Sequence, residues 1–274
     1  MKQNPARPVV FITGASAGIG AAAAEVFVAA GYDVVLGARR MDRLEKIAGS
    51  LATRFSTARL IPVVCDVTSD ASVESAFKKI HEEFGALDAL VNNAGYGGYG
   101  SVEEMPLDAF RANMETNFFG VLRCTKAALP LLRAAAKNST RRWGAAIVMV
   151  SSIVGRRAFP LASAYCATKF AVEGLSESLR LELWNERISV SVVNPGLTNS
   201  EFFDASAGLR PSTFLSPDRG MTPQAVAKVL LRAVAHPRRN RYLTAAGKAG
   251  VFFEWLCPEI FDRVLLRTLN KTKK

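Results

Sequence analysis

Short apolar runs alternate with longer segments of helical periodicity along most of the chain. The runs are rich in β-branched residues and apolar through their middles, which is typical of strands buried on both faces of a sheet. They lie at 8–14, 33–39, 59–66, 89–95, 145–152 and 188–196. The helical patterns lie at 18–30, 41–55, 70–84, 107–137 and 163–187.

This alternation predicts right-handed βαβ units, and therefore an α/β fold with a parallel sheet and helices on both of its faces. The chain shows no internal repeat and no low-complexity linker. We therefore expect one domain over residues 1–249, followed by an apolar helical tail at 250–274. Ligands of such sheets bind beyond the carboxyl ends of the strands.

Composition and charge narrow the classes of partner. The 274 residues are 49% hydrophobic, enough for a substantial core, and carry a formal net charge of +11. That charge favours nucleotides, nucleic acids or anionic membranes. No nucleic-acid-binding motif accompanies it, so we expect no nucleic acid partner. Four cysteines without C-x-x-C spacing and only two histidines argue against a metal site and favour a reducing, cytoplasmic setting.

A glycine-rich segment, TGASAGIG at 13–20, follows the first strand and opens a helix. It lies within an uncharged run that imitates a signal peptide, which we interpret as retained structure. Glycines permit a close approach to a pyrophosphate, and the N-terminus of the helix attracts its charge. The segment therefore predicts a dinucleotide site. Its expected members are Gly14, Ser16, Gly18, Ile19 and Gly20.

Two arginines, Arg39 and Arg40, end the second predicted strand. Proteins of this build that bind NAD carry an acidic residue here for the adenosine ribose, and this chain reads Gly37-Ala38-Arg39-Arg40 instead. A guanidinium can form a bidentate contact with the 2′-phosphate of NADP(H). The sequence therefore predicts NADP(H) as the cofactor, with Arg39 as the principal contact and Arg40 as either a second ligand or an exposed neighbour.

Tyr165 and Lys169 lie four residues apart in a predicted helix and so share one face. The ordinary pKa of tyrosine, about 10, is too high for acid–base chemistry at neutral pH. A nearby ammonium lowers that pKa, so we expect Tyr165 to exchange a proton with a substrate oxygen.

These features together resemble the short-chain dehydrogenase/reductase family in its compact single-domain form. The resemblance runs from the first strand to about residue 200. It rests on TGASAGIG (13–20), CDVT (65–68), NNAG (92–95), TNFFG (116–120), VSS (150–152), YCATK (165–169) and NPG (194–196). It implies a Rossmann-type doubly wound, mainly parallel seven-stranded sheet.

The resemblance also assigns roles to single residues. It implies that Tyr165 is the general acid/base, that Lys169 holds the nicotinamide ribose, and that Ser152 hydrogen-bonds the reacting oxygen. Asn117 matches the asparagine that holds a relay water. The further cofactor contacts that it implies are Asp66, Val67, Asn93, Ala94, Gly95, Pro195, Gly196 and Thr198, where Thr198 and Ser200 depart from the family pattern.

Substrate contacts are expected from two loops. The segment 197–222 is long, aperiodic and rich in Ser, Pro and Gly, which is typical of a lid. Its Phe202, Phe203, Phe214 and Leu215 are expected to form an apolar roof. The second wall is expected from 96–105, through Tyr96 and Tyr99, which could equally be loop anchors.

The tail is the part least like the family. From Pro258 onward, an apolar stripe is expected on one helical face, formed by Ile260, Phe261, Val264, Leu265 and Leu269. Three interpretations stay open: a cap over the substrate pocket, a subunit interface, or a peripheral membrane contact. Packing within the protein or between subunits is the usual fate of such a stripe and is favoured.

The leading hypothesis is an NADPH-dependent oxidoreductase that interconverts a carbonyl and a secondary alcohol, with Tyr165 as general acid/base and a hydrophobic small-molecule substrate. The alternative is a non-catalytic NADP(H)-binding regulatory protein. The intact set of Asn117, Ser152, Tyr165 and Lys169 argues against that alternative. The family resemblance further implies a homodimer or homotetramer, assembled through the helices at 107–137 and 163–187.

Overall fold

The computed structural model describes residues 7–199, 202, 207, 208 and 220–271 of the chain. The strands are Val9–Thr13 (β1), Asp33–Ala38 (β2), Leu60–Val64 (β3), Ala89–Asn92 (β4), Gly98–Tyr99 (β5), Ala145–Val150 (β6), Ile188–Asn194 (β7), Ala207–Gly208 (β8) and Asn240–Tyr242 (β9). The α-helices are Gly18–Ala29 (α1), Met41–Arg54 (α2), Asp70–Phe84 (α3), Leu107–Met114 (α4), Gly120–Asn138 (α5), Ser163–Glu182 (α6), Pro223–Ala235 (α7), Ala245–Leu256 (α8) and Pro258–Lys271 (α9).

Seven strands form one parallel sheet in the order β3-β2-β1-β4-β6-β7-β9. The predicted Rossmann-type α/β fold is therefore confirmed. The chain order reverses between β1 and β4, and ligands of such sheets bind in the crevice at this switch point. The edge strand β9 leaves no signal in the sequence, because its three half-buried residues, Asn-Arg-Tyr, form no apolar run.

Residues along the central strands alternate between two buried layers. Phe11 packs with Phe77 and Leu132 on one side of the sheet. Ile12, the next residue, packs with Phe27 and Leu36 on the other side. Side chains of a strand point to opposite faces in turn, so both faces of β1 are buried. This explains why the run reads as continuously apolar.

The helix predicted at 107–137 contains a feature that its periodicity does not reveal. A single π-helical turn, Glu115–Phe119, separates α4 from α5. Such turns arise from one extra residue in a helix and are frequent at functional sites. Here the π turn carries Asn117, whose side chain is fully buried.

The tail forms two helices, α8 and α9, rather than the one that was expected from Pro258. Arg157 joins them, since its guanidinium pairs with Glu254 on α8 at 3.2 Å and with Asp262 on α9. The guanidinium also lies 5.0 Å from the centre of the Phe261 ring. The predicted stripe is divided, because Phe261 and Leu265 are partly buried whereas Ile260 and Val264 are exposed.

Candidate active site

A cavity of about 1280 Å³ lies beyond the carboxyl ends of the strands. It runs from Arg39, after β2, past the glycine loop to Tyr165 and Phe202. Among the described residues, every predicted site residue lines it except Gly20 and Asn117, which lie behind its wall. Residues distant in the sequence therefore meet at this edge of the sheet.

The glycine loop brings the backbone close to neighbouring segments. Gly14 has a φ of 68°, and a Cβ there would lie 2.9 Å from the Cα of Ala94. A Cβ on Gly20 would overlap the carbonyl group of Gly14. The helix α1 then begins without a capping side chain, because Ala17 stands at its N-cap position. Its first N–H groups are left for an anion, as the pyrophosphate of a dinucleotide requires.

Arg39 and Arg40 lie exposed at the rim of the cavity. Arg40 donates a hydrogen bond from Nη2 to Ser16 Oγ over 3.1 Å. Asp66 accepts from the backbone N–H and the hydroxyl of Thr68 at 3.0 and 2.8 Å. Burial raises the pKa of Asp66, but the hydrogen bonds from Thr68 and the charge of Arg39 outweigh it, so that this pKa lies below its ordinary value. Asp66 is therefore an anionic acceptor at neutral pH.

Asn93 ties β4 to β1. Its amide nitrogen donates to the carbonyl oxygens of Thr13 at 2.9 Å and Gly14 at 3.3 Å. The Thr13 hydroxyl in turn accepts from the backbone N–H groups of Asn93 and Ala94, both at 3.0 Å. The side chain of Asn93 thus holds the glycine loop in place.

Tyr165 is 8% exposed and faces the apolar end of the cavity. The hydroxyl of nearby Ser152 donates to the carbonyl oxygen of Pro195 at 3.4 Å. Burial raises the pKa of Tyr165 above its ordinary value, with a further contribution from nearby Tyr99, and the Ser152 hydroxyl only partly offsets this. The expectation of a lowered pKa is therefore wrong for this structure, because desolvation of the phenolate dominates. The phenol carries its proton at neutral pH.

Lys169 lies 4% exposed, one helical turn after Tyr165. Its ammonium donates to the carbonyl oxygen of Val150 at 2.8 Å and stands 5.6 Å from the centre of the Tyr165 ring. Burial lowers the pKa of Lys169 to about 8, against the opposing charge of Glu173. The lysine is therefore mainly protonated at neutral pH.

Asn117 uses its side chain to hold the segment after β4. Its Oδ1 accepts from the N–H of Tyr96 at 3.0 Å, and its Nδ2 donates to the carbonyl of Tyr96 at 2.9 Å. A Cβ on Gly95 would lie 2.9 Å from Asn117 Oδ1 and 3.8 Å from Lys169 Nζ, so the asparagine stands beside the lysine. The expected relay water stays a prediction.

The two expected walls of the substrate end meet in a small sheet. Strand β5 pairs with β8, with Gly98 opposite Ala207 and Tyr99 opposite Gly208. The ring of Phe202 lies 5.4 Å from that of Tyr165, and the ring of Tyr99 lies 6.4 Å from it. Four predicted positions lie outside the described residues. They are the other roof residues, Phe203, Phe214 and Leu215, and Ser200, which departs from the family pattern.

Thr198 follows the segment along the expected nicotinamide position. It is 7% exposed, and its hydroxyl donates to the Gly196 carbonyl at 3.2 Å. Sequence reasoning missed other lining residues, notably Val154, Phe159 and Pro160. It also missed Arg156, Glu173 and Asn194 behind the wall. Of these three, only Glu173 left a signal in the sequence, since it is an acidic residue one turn after Lys169 on a helix with many apolar residues.

Comparison with known proteins places this geometry in a family. A family model described as short chain dehydrogenase matches residues 8–208. The chain belongs to the short-chain dehydrogenase/reductase family. It is 33% identical to dehydrogenase/reductase SDR family protein 7-like of Anopheles gambiae over 96% of this chain and 83% of that protein. It is 31% identical to dehydrogenase/reductase SDR family member 7B of Mus musculus, over 97% and 82%.

Two solved structures of dehydrogenases resemble this one closely. An alcohol dehydrogenase from Thermococcus sibiricus, in complex with 5-hydroxy-NADP, has a TM-score of 0.74 and 30% identity, covering 86% of this chain and 95% of that one. A short-chain dehydrogenase/reductase from Burkholderia phymatum, in complex with NAD, has a TM-score of 0.80 and 26% identity, covering 93% and 95%. This short-chain dehydrogenase/reductase is thus an oxidoreductase that uses a nicotinamide cofactor on a small-molecule substrate.

Two further features concern the described residues alone. They contain no group of three or more His, Cys, Asp or Glu side chains placed to hold a metal ion. Their helices are all too short or too polar to span a bilayer.

Proposed function

We propose that the protein is an NADPH-dependent reductase that converts a hydrophobic ketone or aldehyde to an alcohol, and that can run in reverse. The observation that carries this proposal is that Ser152, the buried Tyr165 and Lys169 line one cavity, together with the apolar ring of Phe202. A reduction needs a proton donor at that position. The nicotinamide, when bound, supplies the hydride.

The residues of the chain supply the proton and stabilise the charge that develops during the reduction. Ser152 and Tyr165 direct two hydroxyl donors at the carbonyl oxygen, where negative charge develops. Tyr165 gives its proton to this oxygen. The Lys169 ammonium stabilises the phenolate that remains, and it stands beside the expected position of the nicotinamide ribose.

The preference for NADP(H) rests on the end of β2. Gly37 and Ala38 are followed directly by Arg39 and Arg40 at the cavity rim, where an acid would otherwise contact a ribose hydroxyl. A guanidinium group matches the geometry of a 2′-phosphate and carries the opposite charge. Asp66 is an acceptor for the adenine amino group.

The substrate class follows from the lining of the far end of the cavity. Val154, Phe159, Pro160 and Phe202 contribute apolar side chains to the cavity lining, and the Phe202 ring lies 5.4 Å from that of Tyr165. A carbonyl compound with a hydrophobic body fits this lining, because burying its apolar surface contributes roughly 25 cal/mol per Å². We expect activity on apolar ketones or 3-oxoacyl thioesters in preference to small polar aldehydes.

The direct test combines a substrate panel with Tyr165→Phe. Oxidation of NADPH is followed with ketones, aldehydes and 3-oxoacyl thioesters. The variant should lose about 100- to 10,000-fold in kcat, the usual contribution of a general acid, and should still bind NADPH as judged by nicotinamide fluorescence. Tyr32→Phe serves as the control, because Tyr32 is buried in the core and does not line the cavity. Turnover by Tyr165→Phe equal to that of the wild type would overturn the mechanism, and no turnover of any panel member by the wild type would favour a regulatory NADP(H)-binding protein.

We further propose that the protein is cytoplasmic, with one Rossmann-type domain at 1–249, and that it forms a homodimer or homotetramer. Support comes from α6, on which Phe170 and Leu181 are 45% and 77% exposed. They lie eleven residues apart and so on one helical face. Between them, a Cβ on Gly174 would have no neighbour within 4 Å. Phe170, Gly174 and Leu181 thus line one side of α6, with the ion-paired Glu177 beside them, and leave room for a second helix.

A further inference from the structure

Glu173 is a charged residue in an unusual place. It lies on α6, one helical turn after Lys169, and is 3% exposed. Burying a carboxylate is costly unless it is paired and hydrogen-bonded. Arg156 provides the pairing, with its Nη2 2.6 Å from Glu173 Oε2. Neither residue touches the cavity, so the pair lies behind the active site.

The same carboxylate is connected to two segments of the site. Arg156 directly follows the 3₁₀ turn Ile153–Gly155, whose N-cap residue is Ser152. Asn194 is fully buried at the end of β7. The neighbours of its side-chain amide are hydrogen-bond acceptors, which places the amide nitrogen towards them. This nitrogen donates to Glu173 Oε1 at 2.7 Å and to the backbone carbonyl of Ser152 at 2.9 Å. Glu173 therefore joins α6, the Ser152 turn and the strand that leads into Pro195.

Glu173 also acts on the charge of Lys169. Burial favours the neutral amine, and the charge of Glu173 is what opposes it. The pKa of Glu173 itself lies above its ordinary value because burial dominates, although Arg156 and Asn194 act in the opposite direction. The charged and titratable groups around this carboxylate are Arg156 beyond the Ser152 turn, Lys169, Glu177 and Arg180 on α6, and Arg239 and Tyr242 near β9.

We infer that Glu173 is a positioning residue, which holds the Ser152 turn against the end of β7 and supplies the counter-charge for the Lys169 ammonium. The inference rests on the proposed roles of Ser152 and Lys169. It explains why a carboxylate is buried on the helix of Tyr165, where an apolar side chain would pack at a lower desolvation cost.

The test uses Glu173→Gln, which keeps the shape of the side chain and removes its charge. Glu177→Gln is the matched control, because Glu177 also contacts Arg156, at 3.3 Å, but its side chain is 40% exposed. In protein labelled with ¹³C at lysine Cε, NMR reads the pKa of Lys169 directly, and Lys169→Arg identifies its signal. We expect Glu173→Gln to lower this pKa by about one unit, the scale of a nearby opposite charge, and Glu177→Gln to leave it in place.

Kinetics with NADPH and the best substrate of the panel give the second measurement. The wild-type rate should fall as the pH rises through about 8, where Lys169 loses its proton. In Glu173→Gln this fall should occur at lower pH, and kcat should drop by up to about 100-fold through misplacement of Ser152, with NADPH binding retained. Glu177→Gln should keep the wild-type profile.

The outcomes separate this inference from the proposed function. An unchanged Lys169 pKa together with wild-type kcat in Glu173→Gln would overturn the inference. If the wild type reduces nothing in the panel, the proposed function fails, while the NMR titration still decides whether Glu173 is the counter-charge. Should Glu173→Gln not fold, Glu173→Asp replaces it. Asp keeps the charge but shortens the reach, so a wild-type kcat in that variant would refute the positioning role.

Discussion

Tyr165 and Lys169 are buried to a similar degree, yet burial acts on their charges in opposite senses. For a phenol, the charged form is the deprotonated one, so desolvation raises the pKa of Tyr165. For an amine, the charged form is the protonated one, so desolvation lowers the pKa of Lys169 to about 8. The proton therefore stays on the tyrosine at neutral pH, and the lysine keeps enough charge to stabilise a phenolate.

Arg39 is the residue on which the cofactor preference mainly depends. Hydrogen bonds to charged groups contribute roughly 1.5–3 kcal/mol, so Arg39→Asp should raise the KM for NADPH by about 10- to 150-fold. The new carboxylate should also improve the KM for NADH, since it can accept from the ribose hydroxyls. Steady-state kinetics with both cofactors measure this.

The control for Arg39→Asp is Arg54→Asp, which makes the same change in net charge elsewhere. Arg54 lies at the end of α2, paired with Glu25 at 2.7 Å and away from the main cavity. Its replacement should leave both KM values within about twofold, as expected for a screened surface charge. Equal effects of the two substitutions would show that net charge, and not a specific contact, governs NADPH binding.

At the level of elements, the start of α1 depends on the absence of side chains. A Cβ on Gly20 would overlap the Gly14 carbonyl, whereas one on Gly49, within α2, would meet nothing within 4 Å. Gly20→Ala should therefore cost about 1–3 kcal/mol of unfolding free energy through overpacking and weaken NADPH binding. Gly49→Ala should stabilise by about 0.5–1 kcal/mol, because Ala favours a helix. Urea denaturation compares the two, and a neutral Gly20→Ala would contradict the close contact.

The strands and helices differ in how well the sequence predicted them. The run Val9–Thr13 is apolar on both faces, and Ile188–Asn194 alternates apolar residues with two small serines, so β1 and β7 could both be located from their composition. The edge strand β9 buries too little to leave such a run. The π turn at Glu115–Phe119 inserts a single residue, which a 3.6-residue pattern is too coarse to reveal.

The candidate site shows the same limit. Motifs identified many of the residues that line the cavity, because each of these lies within a short segment of recognisable spacing. Two contacts behind the site are different. Asn117 bonds the backbone of Tyr96, 21 positions away, and Asn194 at the end of β7 bonds Glu173 on α6. Spacing within one segment carries no information on such pairs. They arise only when parallel strands bring their carboxyl ends together.

At the scale of the whole molecule, two groups of exposed apolar side chains are candidate contact surfaces. One is the face of α6 that carries Phe170 and Leu181. The other lies on the helical tail, where Phe252, Trp255 and Leu256 are 62%, 75% and 61% exposed. Patches of this kind are unusual on a monomer and mark contact surfaces. For the tail, a cap over the pocket, a subunit interface and a membrane contact predict different results in solution.

Paired substitutions separate these surfaces. If subunits assemble through α6, Leu181→Glu should place a charge in an apolar contact and reduce the mass measured by light scattering to that of the 29.6 kDa chain. Trp255→Glu should leave that mass unchanged, and neither the wild type nor this variant should sediment with anionic liposomes. If only Trp255→Glu reduces the measured mass, the subunit interface lies on the tail and not on α6. If the wild type sediments with the liposomes and Trp255→Glu does not, the tail is a membrane contact. Both variants should retain NADPH binding, because neither side chain lines the cavity.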